Sequence, residues 1–468
     1  MKNRHLMILF CTFSCCVSAQ PQLVIDLNPG PAGQAQPFGE VSNNILYFTA
    51  FHPNSGLELW ATGGTEANTR LASDFIPGSE SSQASFRGVN DGMIYFSATG
   101  VDGDRGLRSV AAPGAPVIDH LGLTNVNWLG LLGGKLLVRA SNLTNPNEVF
   151  WVNNASLPEL WVDINEAFLG SSPSSFLPTG PNSALLTAAP VGVGVTGSAP
   201  HWLVERVATE VRTDSDDRIG PRTPYRAVSN GFFFYGAADE GPFSKGNEPW
   251  VIDRMGGNAT LIRDINPGPA SSGGVGTALS LPFNGEVFFA AQSPSFGVEV
   301  WKSNGGGAQL LRDIALGEDD SNPFNFLEFN NELYFGTKSG AGPQLWKTNG
   351  TGADLVATFE PNGAHDAPWM AVVFDDHLLF RVETGNEGLE LWATNGRIGQ
   401  VKLVADINPG PPDGISRPTS WVLNENRLLF LADDGEHGRE LWRLDSGYLE
   451  SLFPVFADSF ERDLTVSP

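Results

Sequence analysis

Gly56-Leu57-Glu58-Leu59-Trp60 decides the fold, because the phrase does not stand alone. It returns as Gly246-Asn247-Glu248-Pro249-Trp250, Gly297-Val298-Glu299-Val300-Trp301 and Gly342-Pro343-Gln344-Leu345-Trp346. Gly388-Leu389-Glu390-Leu391-Trp392 and Gly438-Arg439-Glu440-Leu441-Trp442 follow. Three degenerate copies fill the gaps, with Val110, Phe150 and Trp202 read at the Trp position. From Trp60 to Trp442 the mean period is about 48 residues, in the range of repeat architectures.

Two further phrases keep the same period. Before each copy stands a tight turn and a β-rich run, as in Asn44-Ile45-Leu46-Tyr47-Phe48, Gly285-Glu286-Val287-Phe288-Phe289 and Asn426-Arg427-Leu428-Leu429-Phe430. Such turns before such runs signal hairpins. After each Trp comes an apolar stretch ending in Asp, as in Leu261-Ile262-Arg263-Asp264-Ile265-Asn266-Pro267-Gly268. Pro sets φ and Gly accepts positive φ, so Asn-Pro-Gly suits a sharp turn. Each period therefore holds four short strands, here a, b, c and d. Four strands per 40–50 residues predicts an all-β fold, a β-propeller.

The count is nine blades, or eight if the poorest unit, roughly residues 171–214, packs outside the ring. Leu23-Val24-Ile25-Asp26-Leu27-Asn28-Pro29-Gly30 reads as a strand d with no a, b or c before it. The last unit has a, b and c, while Tyr448 to Phe453 is a doubtful d. The N-terminal strand is expected to complete the last blade, because that pairing removes two open edges.

Composition agrees with this reading. The chain has 468 residues, 54 of them Gly and 33 Pro, the turn-formers that many short strands require. Lys plus Arg is 28 against 52 Asp plus Glu, a net charge of −24. That balance argues against nucleic acid, whose phosphates need a basic face. Lys2 and Arg4, then apolar Leu6 to Val17 and small Ser18 and Ala19, read as an export signal over residues 1–19. Its apolar part is short of the ~20 residues of a spanning helix. Cys15 and Cys16 leave a lipoprotein site as the alternative. Cys11, Cys15 and Cys16 are the chain's three cysteines, so the remainder must hold together without disulfides. The propeller is expected over 20–453 and a tail over 454–468.

Together, the Glu-Leu-Trp strand, the Thr and Gly turn after it and the Asp-Ile-Asn-Pro-Gly turn resemble the bacterial ELWxxDGT repeat proteins. Glu58-Leu59-Trp60-Ala61-Thr62-Gly63-Gly64-Thr65 and Leu345-Trp346-Lys347-Thr348-Asn349-Gly350-Thr351 fit well. Gly63, Asn349 and Asn395 stand where that family prefers Asp, and units two to four are eroded. The resemblance implies an exported propeller-like protein and no established activity. Phe456-Ala457-Asp458-Ser459-Phe460-Glu461 is similar to a short C-terminal phrase of some exported bacterial proteins, with Ser459 in place of Gly, and the resemblance implies a sorting tail.

The repeated residues divide by role. Trp60, Trp202, Trp250, Trp301, Trp346, Trp392 and Trp442 are expected to fill the wedges between blades. The Glu two places earlier shares the Trp face and is read as accepting backbone hydrogen bonds from the b–c loop. Asp26, Asp74, Asp264, Asp313 and Asp406 end strand d on the rim that also carries the b–c loops. Those loops bear Asp102, Asp104, Asp239, Glu240, Glu387, Asp433, Asp434 and Glu436, so one rim is expected to be acidic. Each Asp either caps its own turn or helps bind a cation or a basic partner. No cofactor is evident, and Ca²⁺ has no loop motif behind it.

No phosphate loop, nucleophile elbow or zinc spacing occurs. His437 beside Glu436, Asp434 and Asp433 is the one local cluster. The sequence therefore points to a secreted or surface binding scaffold, a monomer with a protein, glycan or surface ligand. The alternative is a secreted lyase or hydrolase with a carboxylate-lined channel.

Overall fold

The computed structural model describes residues 20–30, 39–103, 105–120, 122–152, 158–164, 171–188, 201–204, 208–211, 219–221, 226–238, 245–253, 258–273, 280–360, 368–415, 420–423 and 426–454. Residues 1–19, where an export signal is expected, and 455–468 of the expected tail lie outside them, as do Asp104, Asp239 and Glu240.

Among these residues the strands form nine antiparallel sheets in a simple a-b-c-d order. The first blade shows the plan: Gly39–Ser42, Ile45–His52, Gly56–Thr62 and Thr69–Ser73. Asn43 and Asn44 supply the two positive φ angles of its a–b turn, as two-residue hairpin turns require. The poorest unit is nonetheless a full sheet: Ser174–Pro178, Ala184–Thr187, His201–Val204 and Ala208–Val211. In the fifth blade strand a is broken into Ile219–Pro221 and Arg226–Val228, both paired with Gly231–Ala238.

Nine hydrophobic clusters join consecutive blades, and the last of them closes the circle. Leu46, Phe48, Ala50 and Trp60 of the first blade pack against Leu429, Leu431 and Leu441 of the ninth, together with Val24 and Leu27. The other eight clusters join blade one to two and so on to eight and nine. Strands a of adjacent blades touch from blade five round to blade four and line the inner wall of the ring.

The N-terminal strand, Gln22–Ile25, pairs antiparallel with Arg439–Asp445 and supplies the ninth blade's strand d. Arg443 ties the seam by donating to Gln22 Oε1 at 2.7 Å, and Arg427 donates to the Gly63 carbonyl at 2.9 Å. Tyr448–Leu452 is a short helix rather than a strand. Its Tyr448 hydroxyl donates to the Val404 carbonyl at 3.0 Å, and Tyr448 and Leu449 join the core between blades eight and nine.

Phe48 pairs across the sheet with Trp60, and the same pairing recurs as Phe234 with Trp250, Phe289 with Trp301 and Phe335 with Trp346. Each Trp packs toward the preceding blade: Trp250 on the fourth, Trp301 on the fifth, Trp346 on the sixth, with Trp392 and Trp442 partly buried in the next two wedges. Trp202 lies on a described strand, but its side chain is outside the described set. Blade two departs from the expected register. Phe96 faces Arg108, so Arg108 and not Val110 holds the Trp position, and Gly106 holds the Glu position.

Candidate functional site

The repeated phrase builds a recurring station where the b–c and d–a connections meet. Gly56, Gly246, Gly297 and Gly388 all have positive φ, and a Cβ at any of them would come within 2.4 Å of a d–a backbone oxygen. Glycine is required there by sterics and by φ together. The next residue's amide is capped from the d–a loop: Val298 N donates to Asp320 Oδ1 at 2.7 Å and Leu389 N to Asp413 Oδ1 at 3.0 Å.

The Glu of each phrase then points inward. Glu58, Glu248, Glu299, Glu390 and Glu440 are 0% exposed, and Glu148 is 1%. Glu248 accepts from Ile265 N at 2.9 Å, Ser272 N at 2.8 Å and Ser272 Oγ at 2.6 Å. Glu58 does the same with Phe75 and Ser82, and Glu148 with Ile164 and Ser171. Glu299 accepts from Ala315 N and Ser321 Oγ, and Glu440 lies against the Leu27 and Asn28 amides. The loop so held is d–a, not b–c as expected from the sequence. A buried carboxylate satisfied by several donors is the compact way to fix a turn that has no strand partner.

Burial dominates the acidity of these groups. It pushes Glu148, Glu299 and Glu440 up to about 7 and Glu390 to about 8, and raises Glu58 and Glu248. The strand-d Asp beside each adds to the rise, against the downward pull of the donors.

The strand-d aspartates cap turns where their contacts are seen. Asp313 Oδ2 accepts from Gly317 N and Asp406 Oδ2 from Gly410 N, both at 3.2 Å. Asp264 pairs with Lys245 at 3.6 Å. Asp26 is half-buried with Oδ1 enclosed, and Asp74 is exposed. In the b–c loops Asp433 accepts from Gly435 N at 2.8 Å, and Asp434 from Glu436 N at 3.0 Å and His437 N at 2.9 Å. Thr384 donates to Glu387, while Asp102 and Glu436 are exposed. His437 Nδ1 lies 2.7 Å from Asp434 Oδ2, which raises the imidazole and lowers the carboxyl. Among the described residues no three His, Cys, Asp or Glu side chains gather as a metal would need.

One cleft escaped the sequence reading. Between blades two and three, Arg87, Arg105, Ser97 and Asn127 line a cavity of about 260 Å³. It adjoins a second one of about 430 Å³ that reaches Arg108, Asp119 and exposed Leu143. This is the unit in which the register puts Gly106 at the Glu position and Arg108 at the Trp position.

No family model matches the chain. No curated protein matches it either. Among solved structures it is similar to the β-propeller domain of the Trilobed protease from Pyrococcus furiosus, at 9% identity and a TM-score of 0.34, over 80% of this chain and 95% of that one. It is similar to a prolyl endopeptidase at 10% identity and a TM-score of 0.38, over 77% of this chain and 54% of that one. A puromycin hydrolase gives 11% and 0.38, over 87% and 61%. The chain thus spans a little over half the length of the two peptidases. Among the described residues no helix is long and apolar enough to cross a membrane.

Proposed function

We propose that this chain is an exported, non-catalytic binding propeller of the ELWxxDGT repeat type, presenting its b–c and d–a rim to a ligand. The observation that carries the reading is how the repeat spends its polar chemistry. The recurring glutamates are buried and hold turns, and Asp313, Asp406, Asp433 and Asp434 accept from nearby amides of their own loops. These groups build a rim; they do not converge on a reacting atom.

The inner wall supports the same reading. Among the described inner strands the acidic residues are Glu40 on the first blade and Glu328 on the seventh, not the adjacent pair of carboxylates that a hydrolase uses. The fold alone chooses nothing, since propellers host both binders and enzymes.

Purified chain beginning at Gln20 should bind members of a glycan array or a defined protein panel, and leave polysaccharide and ester substrates unchanged. Turnover of any of those substrates, abolished by His437→Ala, would replace this reading with the enzyme one.

A further inference from the structure

The cleft between blades two and three is where the repeat is broken by gain rather than by loss. In six other blades the Glu is buried against a d–a turn. In blade two strand d ends at His120 and the next strand a starts at Thr124, whereas residues 74–84 separate those strands after blade one. The turn that Glu would hold is absent, and Gly106 stands in its place. Small Gly106, and Arg108 in the Trp position, leave open the space that the other blades fill.

Arginine enters that space from two strands. Arg87 is the extra residue of a bulge in strand a, where Phe86 pairs with Phe96 and Gly88 with Tyr95. Bulges re-aim a side chain. Arg105 begins strand c and is exposed. Arg87 Nε donates to Ser97 Oγ at 3.1 Å, and Arg105 Nη2 donates to the same oxygen at 3.3 Å. Two guanidinium groups therefore converge on one hydroxyl. Arg105 Nη1 donates to the Gln83 carbonyl at 2.9 Å. Arg108 stands behind them, paired with Asp119 at 2.6 Å.

Among the described residues no carboxylate lines the 260 Å³ cavity. Burial holds Arg87 and Arg105 below the usual guanidinium range, helped by the charge of Arg105 at Arg87 and by that of Arg108 at Arg105. In a chain with nearly twice as many acidic as basic side chains, two guanidinium groups meet here with no carboxylate among the described residues of the smaller cavity, while Asp102 and Asp119 line the adjoining one. Paired guanidinium groups offer the forked donors that oxyanions accept.

We propose that this cleft is an oxyanion-binding site, taking a carboxylate or phosphate group of a small ligand between Arg87 and Arg105, with Ser97 and Asn127 as neutral partners. The site goes beyond the binding reading above and does not depend on it, since the same pocket would serve an enzyme.

The test uses the full mature chain, with glucuronate as the carboxylate probe, inorganic phosphate as the phosphate probe and glucose as the neutral control. Calorimetric titration and thermal melting are read at fixed ionic strength. Glucuronate, phosphate or both should bind and raise the melting midpoint, glucose should not, and Arg105→Gln should weaken binding about tenfold. Without anion, Arg105→Gln should melt no lower than wild type, because it relieves repulsion. A response to one probe alone assigns the source of the oxyanion. Should Arg87→Gln fail to fold, the exposed Arg105 still decides the matter. No binding of either probe, or equal binding by wild type and Arg105→Gln, overturns the site. Destabilised Arg105→Gln beside an unresponsive wild type would make Arg105 purely structural.

Discussion

At the scale of single residues, the repeat is best understood from the place where one member lacks its partner. Ser82, Ser171, Ser272 and Ser321 each donate a hydroxyl to the buried Glu of the same blade at 2.6 Å. In blade eight Gly414 takes that position. Its carbonyl accepts from Asp433 N at 2.9 Å, as Ser272 and Ser321 accept from Gln292 and Lys338. Glu390 fills the space a serine side chain would take, with Oε1 2.0 Å from where a Cβ would sit, and its Oε2 is buried with no donor, as are both Glu440 oxygens. This is also the carboxyl pushed highest. Gly414→Ser should make Glu390 retract to the position its counterparts hold. The expected gain is about 1 kcal/mol, the net worth of one buried hydrogen bond. Urea unfolding of the two proteins side by side measures it, and a loss of stability would mean the blade cannot make room for the hydroxyl.

At the scale of elements, the N-terminal strand carries more than its length suggests. Gln22–Ile25 covers the open edge of Arg439–Asp445, and Val24 and Leu27 bury their side chains in the seam between blades nine and one. Removing residues 20–27 would uncover that edge and lose roughly 3–6 kcal/mol of apolar burial. An uncovered edge is also a template for pairing with another chain. The truncated protein is expected to melt well below the full chain and to elute from size-exclusion as larger species. Unchanged melting and a monomeric profile would show that the ring is closed by something other than this strand.

For the molecule as a whole, the six buried glutamates act together on stability. Each is raised from a usual value of 4.5, and four of them reach about 7 to 8. Above their unfolded value and below their folded one, the folded chain binds more protons than the unfolded chain. Stabilisation from the protonated form is therefore complete at acid pH and is lost as pH rises through 7 to 8. The melting midpoint should fall between pH 5 and pH 8, roughly the span between the two sets of values. A midpoint that rises over this span would show that the amide and hydroxyl donors outweigh burial.

The sequence by itself determined the architecture, and the reason is repetition. A 48-residue phrase written nine times averages out local ambiguity, so the period, the four strands per unit and the d-strand at the N-terminus were all legible in Glu58-Leu59-Trp60 and its copies. It also placed the tryptophans in the wedges, because period-two alternation puts large apolar side chains on one face. Two things needed the tertiary structure. The loop held by each Glu was assigned wrongly, since a side chain's partner across a turn depends on how two loops meet in space. The register of blade two was read two residues out, because Arg108 carries no trace of the Trp it replaces. For the same reason the arginine cleft was invisible: Arg87 and Arg105 are 18 positions apart in the chain, and only the bulge in strand a and the pairing of strands a, b and c of one blade bring them to the same hydroxyl.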